Sequence, residues 1–586
     1  MTTSRPESLF SSFPTVNATE WRSKVLQELK GSDYAKIVWN TPDGFAQEPW
    51  YNRETSLPAL AVPFKKASNR WRICEQIQAD NPASAAEEAL SALAEGADTI
   101  EFLFTDPVNL TEEKLAILLQ SPELLKVPLY FSGAVGDPGD LCKRLSRIPG
   151  FETNTGAILY DGLQAGLIPA TLPLAESLNP EFRTLAVDTE RFHIAGATIS
   201  QEIALVLAGV SEYLSNFTDK GISAAEAAAT IEIVLAFGTS HFSELAKPRA
   251  IRALWPKLLE AYGVPASEQP QPRIFGRSSL RTISTLDPYT NILRLGTEAV
   301  SAILGGCDTL QLAPFDPAGS VSREFTGRIT KNIQLLLKEE SGLDRVVDPA
   351  AGSWYIESMT ASLSGEAWKI FQQIEASGGF LQAESSGLID ALIAPAADKR
   401  QKEIRTRKRA LCGVNRYTVP PSPEVEAATL KLVEMSGDAA GFEQLRLRAL
   451  RHASRTGSPV RAALWVHGDA SKSLRVAGFA EDFLRCGGVA VDSPITLELN
   501  TTSAATILKE APEVVVLCWT GSDDLDSVPA ITAALREIRP DTLVIMASKP
   551  PENAAALIEA GLEGFIHLGS DAYAVLVALQ HKTGVA

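Results

Sequence analysis

The sequence predicts an α/β protein made of a (β/α)8 TIM barrel followed by a flavodoxin-like, doubly wound parallel sheet. From about residue 70 to 345, short apolar runs alternate with helical patterns about eight times, which is the count and length expected of such a barrel. Strand and helix patterns then repeat five times in the last 125 or so residues. The chain of 586 residues is also too long for a single hydrophobic core.

Residues 1–58 precede the repeating pattern and are predicted to form an N-terminal arm. They contain a helical stretch followed by an extended, aromatic-rich stretch that carries Trp39, Trp50 and Tyr51. An arm of this kind has no strand–helix unit in which to bury large aromatic rings. The rings must therefore pack on this chain's own domain or on another chain, and large aromatic side chains are favoured anchors of protein interfaces.

The barrel is assigned to residues 59–345. In its clearest unit, the strand RWRICEQIQ precedes a helix that Asn81 caps, that Pro82 begins and that Gly96 ends. Asp287 and Pro288 mark the start of a second well-defined helix in the same way. The other candidate strands are TIEFLF, VPLYFSG, GAILYD, FRTLAVD, EIVLAFG, RIFGRS and TLQLAP. In this fold, chemistry belongs at the C-terminal ends of the strands.

Residues 346–457 are predicted to wrap the exterior of the barrel and then to form a helical linker. The segment TVPPSPE, at 418–424, is rich in proline, which stiffens an extended chain. Helices are expected at about 425–437 and 440–456. Residues 458–586 form the predicted flavodoxin-like domain, with strands in RAALWVHGD, VAVDSP, EVVVLCW, TLVIMAS and GFIHL.

Composition and charge exclude several classes of function. A formal net charge of −17 argues against a general binder of nucleic acid or anionic membranes. No stretch of eighteen uncharged apolar residues occurs, and the start has no apolar signal segment, so we expect a cytoplasmic protein. Six widely spaced cysteines without a CxxC pair indicate buried, reduced thiols, and we expect no metal site.

A series of phrases between Asp287 and Tyr417 carries a family resemblance. Their order is DPYxN, GGxxxL, FD, NxQLxLxEESG, DPxxGSxYxES and GVNxY. This order resembles the barrel domain of the adenosylcobalamin-dependent methylmalonyl-CoA mutase family. The resemblance implies that the C-terminal domain corresponds to the cobalamin-binding domain of that family and that the arm lies against a partner subunit.

The residues that bind cobalamin in this family are not matched here. The family carries D-x-H-x-x-G after the first strand of its cobalamin domain, where the histidine coordinates cobalt and the aspartate orients it. In this chain Val466, Gly468 and Ser471 occupy those three places, and His467 is one place away with Asp469 behind it.

Two later strands of the same domain differ as well. Cys518-Trp519 stands where the family has small hydroxyl residues, and Ala547-Ser548-Lys549 stands where it has a Gly-Gly pair. Glycine permits close approach of a ligand to the backbone, and an indole would fill the space. The resemblance therefore implies that this chain holds no cofactor.

The substrate-facing positions of the family's barrel have also changed. Gln76 replaces a tyrosine that shields the radical site, Phe275-Gly276-Arg277 begins the strand that reads H-C-Q-T-S-G in the family, and Leu310 to Ala313 replaces L-H-T-N. Phe192-His193 matches a Tyr-His pair that faces the substrate, but only with a gap of two residues. His193 is the one weak catalytic candidate, and the alternative is a histidine that is hydrogen-bonded near the barrel top.

The chain is thus identified as resembling the small (beta), non-catalytic subunit of the heterodimeric adenosylcobalamin-dependent mutase. The expected partner is a homologous large subunit that holds adenosylcobalamin, binds the acyl-CoA substrate and interconverts (R)-methylmalonyl-CoA and succinyl-CoA by a radical mechanism. Two alternatives stay open: an independently catalytic acyl-CoA mutase, and a non-enzymatic module for cofactor loading or chaperoning. Cobalamin binding by the isolated chain would favour the first, whereas the absence of a phosphate-binding loop argues against a GTPase-type loader.

Overall fold

The computed structural model describes most of the chain. The described residues are 16–52, 54–55, 62–64, 66–106, 110–164, 166–169, 178–432, 435, 437–468, 470–498, 500–518 and 525–585. The expectations that concern Asp469, Trp519 and the side chain of Ser471 lie outside them.

The described arm begins with helix α1, Ala18–Glu28. Asn17 and Glu20 form a capping box, in which each side chain accepts the other residue's backbone N–H. Two short strands, β1 (Trp39–Asn40) and β2 (Ala46–Gln47), then pair antiparallel. The arm therefore has local structure of its own before the barrel starts.

Eight parallel strands form the barrel, and they pair in the order β6-β5-β4-β3-β10-β9-β8-β7. A parallel bridge between Ala157 and Arg183 joins the two ends of this order. The sequence-based prediction of a (β/α)8 barrel is confirmed. The strands are β3 (Arg72–Gln78), β4 (Thr99–Phe104), β5 (Leu129–Gly133), β6 (Ala157–Ile158), β7 (Leu185–Asp188), β8 (Ile231–Phe237), β9 (Arg273–Ser278) and β10 (Thr309–Gln311).

Helices follow the strands along the chain. They are α2 (Pro82–Ala94), α3 (Glu112–Leu118), α4 (Pro122–Leu125), α5 (Pro138–Leu145), α6 (Glu190–Ala195), α7 (Ile199–Thr218), α8 (Ala224–Ala229), α9 (His241–Ala261), α10 (Pro288–Leu304) and α11 (Arg323–Leu335). The Asn81 side chain accepts from the Ser84 N–H and Gly96 adopts a φ of +104°, as the sequence indicated for α2. Asp287 precedes α10, but its carboxylate accepts from the Thr290 hydroxyl instead of from a backbone N–H.

Three helices cover one side of the barrel: α12 (Trp354–Ala376), α13 (Phe380–Ser385) and α14 (Leu388–Arg405). Helix α12 lies against α7 and α9. In the linker, α15 spans only Pro423–Thr429, and the helix expected to reach residue 437 is wrong in length. The α-helical hydrogen-bond pattern ends there, since the Lys431 and Leu432 N–H groups donate to the carbonyls of the residues three positions earlier instead of four. Helix α16, Ala440–Thr456, matches its prediction.

The second sheet has the flavodoxin-like strand order. Its strands lie side by side in the order β12-β11-β14-β15-β16, and β13 also pairs with β11. All of these pairs are parallel. The strands are β11 (Arg461–Val466), β12 (Ala490–Val491), β13 (Ile495–Thr496), β14 (Val514–Cys518), β15 (Leu543–Met546) and β16 (Gly564–Phe565); the helices are α17 (Ala470–Arg485), α18 (Ala504–Ile507), α19 (Val528–Ile538), α20 (Ala554–Glu559) and α21 (Ala572–Lys582).

The described helices and cysteines can be compared with the expectations drawn from composition. Among the residues that the structure describes, no helix combines the length and the apolar character needed to cross a membrane. All six cysteines are free thiols. Five of them are buried as expected, whereas Cys412 is exposed.

Candidate functional site

The mouth of the barrel holds the one catalytic candidate, His193. This residue lies in α6, directly after β7, and its side chain is fully buried. Its Nδ1 lies 2.7 Å from Glu202 Oε1, and its Nε2 lies 2.7 Å from Ser279 Oγ. Gly196, with a φ of +105°, ends α6 and lets the chain turn into α7, which places Glu202 next to the imidazole.

A buried lysine completes a chain of charged groups behind His193. Lys247 Nζ lies 2.8 Å from Glu202 Oε2 and 2.7 Å from Glu244 Oε2, and it donates to the Ala236 carbonyl. Burial alone would raise the pKa of Glu202, but the charge of Lys247, together with the hydrogen bond to His193, outweighs burial and lowers this pKa to about 2. Burial lowers the pKa of His193. The imidazole is therefore neutral, so Nδ1–H donates to the carboxylate and Nε2 accepts from Ser279.

Ser279, His193 and Glu202 stand in the order of a nucleophile, a base and an orienting acid. All three side chains are fully buried. The Ser279 oxygen already accepts from the Arg281 backbone N–H, and Lys247 occupies the second oxygen of Glu202. In the described structure the Ser279 hydroxyl is therefore enclosed by groups of this chain.

A second buried carboxyl group lies beside this network. Glu298 of α10 accepts from the Ser279 N–H at 3.2 Å and from the Thr282 hydroxyl at 3.3 Å. Burial, followed by the nearby Glu244 carboxylate, raises the pKa of Glu298 well above its usual range. The surroundings of Glu298 therefore disfavour its ionised form, since that form would be a further buried charge without a cationic partner.

The barrel interior is filled by side chains where the family resemblance places the acyl group. Phe275 packs edge-on against Tyr130, with ring centroids 4.9 Å apart, and both rings are fully buried. Above them Arg277 bonds to Glu101 at 2.6 Å and to Glu190 at 3.2 Å. The buried interior cluster comprises Cys74, Tyr130, Ala157, Leu159, Ala186, Val234 and Phe275. A ligand could enter at this level only by displacing close-packed groups.

The other positions singled out in the barrel are also occupied by contacts within the chain. Gln76 is half-buried and stands opposite Glu101 across the β3–β4 pair. Gln311 is buried, and its amide donates to the Leu312 carbonyl. The Gln311 amide is therefore engaged within the chain.

The end of β11 lacks a side chain that could coordinate cobalt in the place where the family has its histidine. Val466 is in register with Cys518 of β14, and the following His467 N–H donates to the Cys518 carbonyl. Gly468 stands in the ligand's place with a φ of +79°. The residues present therefore do not fit adenosylcobalamin by the family's pattern. Within the described ranges, no group of three or more His, Cys, Asp or Glu residues is arranged to hold a metal ion.

The three aromatic residues of the arm have different environments. Trp39 is 44% exposed, whereas Trp50 stacks on Trp21 with centroids 4.7 Å apart. Tyr51 meets Tyr355 of α12 edge-on at 5.6 Å. Tyr51 thus contacts the helix of this chain that packs on its own barrel, and Trp39 presents much of its ring to solvent.

Comparison with known proteins gives a consistent family assignment. The family described as methylmalonyl-CoA mutase matches residues 165–472. The methylmalonyl-CoA mutase small subunit of Porphyromonas gingivalis is 31% identical over 624 aligned positions, which cover 99% of each chain. That of Streptomyces virginiae is 28% identical, covering 99% of this chain and 98% of the relative.

Two further matches are partial. The methylmalonyl-CoA mutase of Escherichia coli is 32% identical over 286 positions, covering 49% of this chain and 39% of that protein. Among solved structures, a dihydropteroate synthase of Xanthomonas albilineans superimposes with a TM-score of 0.27 at 14% identity, covering 46% of this chain and 94% of the other. A likeness that slight has no bearing on the fold or function.

Proposed function

The chain belongs to the methylmalonyl-CoA mutase family, and we propose that it is the small, non-catalytic subunit of a heterodimeric mutase. In this proposal a longer homologous chain holds adenosylcobalamin and interconverts (R)-methylmalonyl-CoA and succinyl-CoA. The observation that carries the proposal is the extent of the similarity, which spans 99% of both this chain and a relative named as a small subunit. A dimer of two homologues preserves the approximate two-fold symmetry of a homodimer.

The interior of this chain supports placing the chemistry on the partner. Phe275 and Tyr130 fill the barrel, and Gly468 offers no imidazole at the end of β11. Fold and function separate readily, so these site residues bear more on activity than the barrel itself does.

We also propose the division of the chain into four segments. The arm is 1–58, the barrel 59–345, the wrapping segment and helical linker 346–457, and the flavodoxin-like domain 458–586. The barrel strands at 72–311 and the second sheet at 461–565 fall inside the two proposed domains.

Isolated from any partner, the chain is expected to bind no adenosylcobalamin. The physical reason is that the cobalt-ligating position holds glycine. Gel filtration with detection at cobalamin wavelengths measures this directly, and the assembled complex with the large chain is the positive control. Stoichiometric co-elution of cobalamin with the isolated chain would contradict the proposal and favour an independently catalytic mutase.

His193→Gln is expected to change the turnover number of the assembled complex by no more than a few-fold. The imidazole is enclosed by Glu202 and Ser279 and does not reach a cavity, so its loss affects stability more than chemistry. Turnover is measured per assembled complex, with the exposed His581→Gln as the matched control. A loss of about a hundredfold, the range for removing a general acid, would mean that this barrel is catalytic.

A further inference from the structure

A cavity of about 310 Å³ lies where the arm, the barrel mouth and α14 meet. Its volume is close to the lower end of the range for small-molecule sites. Three parts of the chain that are far apart in sequence form its wall. The first is the arm at 39–43, and the second is the barrel mouth, which contributes 196–199, 240–244 and Arg281. The third runs from the end of α14 into the residues that follow it, at 396–409.

Four cationic side chains line this cavity: Arg281, Lys399, Arg400 and Arg409. Two of them have carboxylate partners, since Arg400 Nε donates to Asp438 at 2.7 Å and Arg409 Nε lies 3.4 Å from Glu403. Across the described part of the chain, Arg281 and Lys399 have no carboxylate within hydrogen-bonding distance. The nearest one recorded for Arg281 is Asp438, at 4.0 Å.

Arg281 is held rigidly and still has an unused donor. Its side chain is only 8% exposed, and Nη1 donates to the His193 carbonyl at 2.7 Å. Its Nε is buried without a hydrogen-bond partner. Burial, followed by the neighbouring Arg400 charge, lowers the pKa of Arg281. An anion in the cavity would relieve the repulsion between the Arg281 and Arg400 guanidinium groups.

The N-termini of two long helices face the same space. Thr198 and Ile199 begin the 20-residue α7, and Ser240 precedes the 21-residue α9. A helix N-terminus favours negative charge nearby. Two donors of the first turn of α7 are already used, because the Ser200 N–H donates to Asp43 of the arm at 2.7 Å and the Gln201 N–H donates to the Thr198 hydroxyl at 3.4 Å.

The carboxylates of the lining are each engaged elsewhere. Asp43 accepts from α7, Glu244 lies 2.7 Å from Lys247, and Glu403 is paired with Arg409. Arg281 and Lys399 are thus the cationic side chains of the lining without a carboxylate partner in the described structure, whereas Asp43 is bonded to a backbone N–H and not to a cation. We propose that this cavity is a binding site for a small anion with carboxylate or phosphate groups, held by Arg281 and Lys399. Such a ligand would link the arm, the barrel mouth and α14, and the proposal does not depend on the assignment as a mutase subunit.

Isothermal titration calorimetry on the full chain tests the site. Inorganic phosphate and glutarate are the probes, and glycerol is the uncharged comparison. The ionic strength is the same for all three ligands in each series and is raised from one series to the next. We expect one equivalent of at least one anion to bind, with affinity falling as salt increases. The anion that binds with the higher affinity shows whether the site prefers a phosphate or a carboxylate group. Absence of one-to-one binding by both anions at concentrations up to about 10 mM, which corresponds to roughly −2.7 kcal/mol, would overturn the proposal.

Variants locate the binding within the cavity. Arg281→Lys is expected to weaken binding about tenfold because it removes the planar fork. Lys399→Ala should weaken it at least about threefold while leaving the melting temperature unchanged, since this side chain is exposed. Lys402→Ala is the matched control, because it removes an exposed lysine of the same helix that does not line the cavity. Equal effects of Lys399→Ala and Lys402→Ala, or no effect of Lys399→Ala, would overturn the proposal.

Discussion

Lys247→Met is expected to destabilise the folded chain by about 3–5 kcal/mol, the range for removing one partner of a buried ion pair. Its ammonium group is fully buried between Glu202 and Glu244, and methionine fills a similar volume without the charge. Both carboxylates would then be left in the barrel mouth without a cation. Chemical denaturation followed by circular dichroism, read at the first unfolding transition, measures the loss.

The pH dependence of stability separates this effect from simple packing damage. The pKa of Glu202 is about 2 in the folded chain against an ordinary 4.5, so the ionised form is favoured by folding. Its contribution is complete above about pH 5 and disappears as the pH falls from 5 towards 2. Lys247→Met should lose most of that contribution, and adding Glu202→Gln should restore part of the stability.

The exposed Lys402→Met is the control for loss of a positive charge, and we expect it to melt as the wild type does. A Lys247→Met variant with the stability of the wild type would show that the buried cluster is not a structural support. In that case the assignment of His193 to packing of the barrel mouth would also be wrong.

The barrel and the second sheet could be predicted because their signals are local. Asn81, Pro82 and Gly96 bracket α2 within a few residues, and the sequence alone placed each of them correctly. The short parallel strands are apolar runs of the expected length, and their order follows from the alternation with helices. The length of α15 was mispredicted because apolar periodicity continues after Thr429 while the backbone tightens into a turn.

The buried ionic cluster was missed because its members are spread from residue 193 to 298. When each acidic or basic residue is considered by itself, the expectation is that it lies on the protein surface. One signal was present: Glu202 lies in α7, where Ile203, Leu205 and Leu207 are all buried and no polar face separates them. A charged residue in a helix that is apolar on all sides must have a buried partner, but the sequence does not say that Lys247 is that partner.

The cavity beside Arg281 could not have been predicted from the sequence either. Its wall needs the arm, two barrel loops and α14 to meet, and no local pattern encodes those long-range contacts. The same limit applies to the arm. Sequence reasoning left open whether Trp39, Trp50 and Tyr51 pack on this chain or on a partner, and the described structure shows only the contacts within the chain.

Deleting residues 1–55 is expected to leave a folded chain that associates poorly with the large subunit. Helix α1 of the arm has no buried residue, whereas Phe45, further along the arm, packs partly buried against the main barrel core. Other contacts of the arm with the rest of the chain include Asp43 with the Ser200 N–H and Tyr51 with Tyr355 of α12. Circular dichroism and co-purification are to be measured together on the truncated chain. A collapsed melting curve would mean that the arm belongs to this chain's own fold.

Point variants test which aromatic residues of the arm contribute to assembly with the large subunit and which contribute to the stability of this chain. Trp39 is 44% exposed here, and truncating a large aromatic anchor in a desolvated interface commonly costs 2 kcal/mol or more, roughly a thirtyfold loss of affinity. Trp39→Ala should therefore weaken assembly about thirtyfold with little change in the melting temperature. Tyr51→Ala, which removes the contact with Tyr355, should lower the melting temperature and is the matched aromatic control. If Trp39→Ala and the truncated chain both co-purify with the large subunit at full stoichiometry, the interface lies on another surface of this chain.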